Sequence, residues 1–211
     1  MSYIRATPSV VILVVVSLLV LSGCSFGGRQ RPTRLYVLTA LPRADSVPSV
    51  PATREIAIGV GPVTLPRYVN RPQIVTGNTK NEIHRAPFAQ WAEPLEDNFT
   101  RVLAENLSIL LATNQITVFP WKGPMPIDYQ VVVEVTRFLG ELEGEASLVA
   151  LWSILGKNGK EVLVSKRANL SESIGPEEYE AIVAAMSQLV AALSREIAAE
   201  MTALSQQAAT R

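Results

Sequence analysis

The chain has 211 residues, and 19 Lys+Arg balance 19 Asp+Glu to a formal charge of zero. That balance argues against a protein that coats nucleic acid or an anionic bilayer by charge. Apolar residues make up 48% and charged residues 18%, which excludes disorder of the whole chain and calls for a packed core. The apolar excess is concentrated at the start, where residues 1–23 carry one charge, Arg5. The rest suits a single domain large enough to bury a core without disulfides. None can form within the chain, because Cys24 is the one cysteine.

Arg5 supplies a short basic n-region, and Val10 to Leu21 is apolar except for Ser17. That length fits a signal h-region and falls short of the roughly 20 residues a spanning helix needs. The segment continues as Leu21-Ser22-Gly23-Cys24, which resembles the lipobox of bacterial lipoproteins. The resemblance implies cleavage between Gly23 and Cys24, a diacylglycerol on the Cys24 thiol and acylation of the new amine. The alternative is an uncleaved anchor helix with a buried free cysteine. At about 0.8 kcal/mol per buried methylene, several acyl chains make attachment effectively permanent. Ser25 follows the cysteine where an Asp would signal inner-membrane retention, so the address resembles that of the outer membrane. Ser25 to Arg34 has two glycines, a proline and no apolar period, and reads as a flexible tether. It reaches at most about 35 Å. Arg29, Arg31 and Arg34 read as solvated linker charges. The expected division is a signal over 1–23, the acylated cysteine and tether over 24–34, a domain over 35–205 and a frayed end over 206–211.

In chain order, Leu35–Leu41 reads as a short strand and Pro42–Arg54 as a proline-rich loop. Glu55–Leu65 reads as a strand from the alternation of Ile56, Ile58 and Val60. Gly59 and Gly61 allow a bulge or a close backbone approach, and Pro62 points to an edge or the strand's end. The Gly-x-Gly there lacks a third glycine and an opening helix, so it is not a phosphate loop. Glu93–Thr113 is a helix. Pro94 suits its first position, Glu96 and Asp97 suit its dipole, and Leu95, Phe99, Val102, Leu103, Leu107 and Leu110 form its apolar stripe. Ile116–Phe119 is a brief strand and Pro120–Pro126 a connection. Tyr129–Thr136, Ala146–Leu155 and Glu161–Arg167 form a meander, with Leu148, Ala150, Trp152 and Ile154 on one face. The Asn158-Gly159 pair closes its second hairpin. Gly175-Pro176-Glu177-Glu178 opens a long helix whose stripe includes Ile182, Met186, Leu189, Leu193 and Ile197, and whose pattern decays past Ala203. The expected fold is α/β (α+β-like): a single domain with a mixed β-sheet, an antiparallel meander and two main helices packed on it.

Catalytic constellations are scarce in the pattern. His84 is the one histidine, which rules out a multi-histidine metal site, and no G-x-S-x-G occurs. Glu141, Glu143 and Glu145 read as turn charges, and Trp91 and Trp152 as core. Trp121, among prolines, reads as an interface residue. No catalytic residue, cofactor or metal is expected.

Sequence character is highest over Ile58–Pro66, Tyr68–Thr76, Asn81–Ile83, Trp91–Leu95 and Arg101–Leu107. Together with the lipobox and Leu35-Tyr36-Val37-Leu38, this resembles the ABC-type transport auxiliary lipoproteins, the PqiC-like family. Asn70 stands where that family often has Asp, and Gly77 where a basic residue is common. The resemblance implies a non-enzymatic outer-membrane lipoprotein facing the periplasm and supporting envelope integrity. It further implies coupling to an MCE-domain protein that bridges from an inner-membrane permease and ATPase, lipid as cargo, and a homo-oligomer that could be a ring. Tyr68, Arg71, Gln73 and Trp121 form the candidate assembly surface, with Tyr68–Thr76 exposed or edge-forming. A turn fixed by Pro66 and Pro72 is the structural alternative. A periplasmic enzyme acting on envelope material and a stand-alone lipid- or glycan-binding lipoprotein are the competing classes.

Overall fold

The computed structural model describes residues 32–43, 56–77, 79, 81–123, 126–141, 144–156, 159–176 and 178–210. Gly23, Cys24, the tether as far as Arg31, the 44–55 segment and Asn158 lie outside them. One compact unit spans Thr33–Arg211.

Among the described residues, eight strands and two helices follow in the order β1 (Arg34–Tyr36), β2 (Ile58–Thr64), β3 (Gln73–Gly77), β4 (Ile83–Trp91), α1 (Leu95–Leu111), β5 (Ile116–Val118), β6 (Tyr129–Glu141), β7 (Glu145–Gly156), β8 (Glu161–Ser173) and α2 (Glu178–Ala209). The strands make one mixed sheet, as expected, with β6 as its spine. One edge of β6 pairs antiparallel with β7 from Gln130 to Gly140. Its other edge pairs parallel with β2 over the first half and with β3 at Thr76 and Gly77.

The alternation read along the meander places Leu148, Ala150, Trp152 and Ile154 in the core. Gly159 takes the positive φ, 79°, that the hairpin requires. On α1 the apolar stripe is buried, and Phe99 meets Phe138 edge-on at 5.3 Å between ring centroids. Ala112 ends that helix in the left-handed conformation, and the Thr113 N–H bonds the Ser108 carbonyl at 3.2 Å. α2 is long and apolar enough to cross a membrane, but 67% of its most apolar window is buried in the domain. It is a core helix. It runs on to Ala209 rather than fraying past Ala203, since Ala, Ser and Gln sustain a helix after its buried face ends at Met201.

Several boundaries differ from the pattern-based reading. β3 and β4 were not expected as strands. β3 is too short and too buried to alternate. β4 buries only small residues, Ala86 and Ala89, before Trp91, and carries Pro87 where its ladder with β3 shifts register. Trp91 ends β4 as a buried residue, and the helix begins at Leu95 rather than Glu93. β3 lies between β4 and β6, with β6 pairing its end at Thr76 and Gly77, so that end is interior to the sheet, and Ile74, Val75 and Thr76 are buried rather than exposed. Pro62 sits within β2, where the pairing with β6 shifts between Val60 and Val63. β8 continues past Arg167 to Ser173 because β7 supplies partners along its whole length.

The largest difference is at Leu35–Leu41. β1 stops at Tyr36, and of the next five residues Leu38, Thr39 and Leu41 bond their N–H groups to helix side chains instead of a ladder. Asn98 Oδ1 accepts from the Leu38 N–H at 2.6 Å, Ser187 Oγ from Thr39 at 3.1 Å, and Asn106 Oδ1 from Leu41 at 2.7 Å. Asn98 donates its amide to Glu93 and Asn106 donates to Ser194 Oγ, so both carbonyl oxygens face the strap. The chain that enters from the tether is thus fastened to both helices.

Candidate functional site

The residues with the most sequence character meet around the N-terminus of α1. Pro94 occupies the cap position without a capping side chain. The cap comes instead from Asn70, whose Oδ1 accepts from the Glu96 N–H at 3.3 Å. Glu96 reaches back to accept from the Leu65 N–H at 3.1 Å and from Asn70 Nδ2 at 3.5 Å. This reciprocal cap is assembled from distant parts of the chain, and it uses both the carbonyl and the amide of Asn70. Asn70→Ala is expected to cost about 1 kcal/mol of stability, measured by urea unfolding.

A groove of about 690 Å³ lies alongside. β2 contributes Pro62 and Val63, α1 contributes Glu96, Asp97 and Ala104, and Phe119 closes the side beyond β5. Val118 and Phe119 remain 41% and 45% exposed. Arg101 bonds Glu93 at 2.7 Å and approaches Glu105 at 3.9 Å, so it does not offset the remaining acidic wall. A second concavity of about 420 Å³ is lined by Arg71, Pro72, Trp91 and Pro94, and Glu93 borders both.

The four candidate surface residues divide between these features. Tyr68 is half-buried and packs against the core. Arg71 lines the second concavity, with its Nε buried and without a hydrogen-bond partner. Gln73 opens β3 opposite Gln90. Trp121 is half-buried, and its ring covers Gly59 so closely that a Cβ there would come within 2.7 Å of it. It also stands edge-on to Phe119 at 5.4 Å. Arg71 and Phe119 therefore line the two concavities that Glu93 borders, while Tyr68 packs on the core and Gln73 belongs to the sheet. His84 is exposed on β4. Burial raises the Tyr129 phenol above the ordinary tyrosine value, and the neighbouring Asp128 carboxylate adds to the rise.

Asn98, Asn106 and Phe119 were not singled out from the sequence. A polar residue on an otherwise buried stripe is the signal for the two asparagines. Phe119 carries none, since an apolar residue before a proline reads as an ordinary strand end.

The model of the ABC-type transport auxiliary lipoprotein component matches residues 36–198. The chain belongs to that family. This auxiliary lipoprotein is similar in fold to protein XCC0632 from Xanthomonas campestris, of the DUF330 family model. That pair shares 17% identity and a TM-score of 0.67, covering 84% of this chain and 100% of the other. An uncharacterized protein of known crystal structure matches at 21% identity and a TM-score of 0.65, covering 81% and 99%. No curated protein matches the sequence. Family membership makes the chain an auxiliary component of ABC-type transport, held at a membrane as a lipoprotein.

Proposed function

We propose that this auxiliary lipoprotein is a non-catalytic, outer-membrane docking part of an intermembrane lipid transport system. Acylated Cys24 holds it on the periplasmic side. An MCE-domain protein reaches it from an inner-membrane permease and ATPase, and a homo-oligomeric ring of the lipoprotein receives that partner. The observation that carries the reading is the family match over 36–198, which begins just after the tether. Ser25 after the lipobox cysteine supports the outer-membrane address. The groove beside α1 is open and acid-walled, unlike the closed apolar cavity a stand-alone lipid carrier needs.

Deleting the gene is expected to sensitise cells to detergent, and the wild-type copy to restore resistance; unchanged resistance would argue against the envelope role. For the assembly surface, Arg71→Ala with Gln73→Ala is expected to shift the detergent-solubilised oligomer toward monomer in native mass spectrometry. An unchanged mass distribution with the fold intact would remove these residues from assembly.

A further inference from the structure

The groove beside α1 has two properties that a merely structural crevice does not need. Its floor and one lip are apolar: Val63 and Ala104 are buried there, while Pro62, Val118 and Phe119 remain exposed. Its other wall is acidic, with Glu93 just before α1 and Glu96 and Asp97 from the first turn. Arg101, the basic residue on that wall, is engaged by Glu93 and Glu105. Asp97 is exposed.

The backbone adds a third property. β5 pairs with β2 from Ile58 to Val60 and stops at Val118, with one further bond from the Phe119 N–H to the Val60 carbonyl at 2.9 Å. β2 continues to Thr64, paired with β6 at Val63 and Thr64. Among the described residues no strand covers the other side of that stretch. Pro62 has no N–H and the Gly61 carbonyl already accepts from Gln130, but a parallel ladder turns the N–H and C=O of alternate residues away from the neighbour, so where pairing with β6 resumes at Val63 and Thr64 one of them has backbone groups turned away from β6.

We infer that the groove is a docking site for an extended segment of a partner protein that carries apolar side chains together with Lys or Arg. The apolar side chains would meet Pro62, Val118 and Phe119, the cations would meet the exposed Asp97, and the backbone would continue the sheet where β5 ends. Strand addition of this kind gives affinity through the main chain and selectivity through alternate side chains. The acidic wall disfavours an acidic peptide or an anionic headgroup, because like charges facing each other in a partly desolvated groove repel. The inference rests on the docking role proposed above but not on the identity of the partner. Its failure would leave the association with an MCE-domain protein to be judged separately.

The test selects displayed random twelve-residue peptides against the full-length acylated protein in detergent, then measures the enriched peptides by fluorescence anisotropy. Enriched sequences are expected to combine Lys or Arg with β-branched or aromatic residues. Asp97→Lys and Phe119→Asp, each at an exposed position, are expected to weaken binding by roughly tenfold or more. An unchanged far-UV spectrum checks the fold, and Asp97→Lys stands as a test that leaves the Phe119–Trp121 contact in place. Recovery of no binder, enrichment of acidic peptides, or binding indifferent to both variants overturns the inference. So does dissociation of the native oligomer by Phe119→Asp, which would make a second copy the occupant. Displacement of the peptide by phosphatidylethanolamine vesicles would make the occupant a lipid and overturn it equally.

Discussion

Replacing Cys24 with alanine is expected to abolish acylation and processing together, leaving Met1 at the N-terminus of the recovered protein. The chemistry allows no partial outcome. The thiol is the nucleophile that accepts the diacylglycerol, and the chain holds no other cysteine to substitute for it. In the wild type, the mature N-terminus is expected to weigh more than its peptide by the mass of its acyl groups, and to band with the outer membrane in a density gradient. In the variant the h-region remains as an uncleaved anchor, and the protein is expected in the inner-membrane fraction. The 33–210 region is expected to fold unaltered, because its described core is built from residues between Leu38 and Met201. A wild-type N-terminus that begins at Met1, or an unmodified Cys24, would remove the anchor from the model.

The second large effect is expected from Asn98→Ala combined with Asn106→Ala. Each asparagine is buried, and each satisfies a strap N–H that no strand pairs. Truncating either leaves a buried donor unpaired, at a cost of about 1–3 kcal/mol. The two sites are eight residues apart on α1, about 12 Å along its axis, which would normally make their effects additive. They hold the same five-residue strap, however, so its release at one site lowers what remains to be lost at the other. A combined loss of about 3 kcal/mol, less than the sum of the single variants, is expected in urea unfolding. Hydrogen exchange at Leu38, Thr39 and Leu41 is expected to accelerate in the variants more than exchange in β7. Full additivity with unchanged exchange would mean that the asparagines stabilise the helices without holding the strap.

The strap also shows where a sequence stops being legible. Both helices and the meander announce themselves through spacing: Phe99, Val102 and Leu103 recur on a helical period, and Leu148 through Ile154 alternate. Leu35–Leu41 has the composition of a strand, yet its N–H groups are claimed by Asn98, Asn106 and Ser187, the last 148 residues away. Local pattern holds no trace of such partners. β4 escaped for a different reason, because Ala86 and Ala89 give little contrast and Pro87 interrupts the alternation. At the candidate site, the prolines and glycines of 59–72 marked the right region of chain. They did not distinguish interior from edge, since β3 becomes interior only when β6 pairs with its end. Arg71 and Trp121 were legible as unusual residues in loops. Glu96 and Asp97 read as charges suited to the helix dipole until β2 and Phe119 were placed across the groove from them.

The most direct measurement is co-purification of the acylated protein from its own membranes, with the complex kept in mild detergent and its components identified by mass spectrometry. An MCE-domain protein is expected in stoichiometric proportion with several copies of the lipoprotein, and is expected to be lost with Cys24→Ala. Repeated recovery of the acylated lipoprotein without any MCE-domain partner, under conditions that preserve other envelope complexes, would contradict the transport role proposed for it.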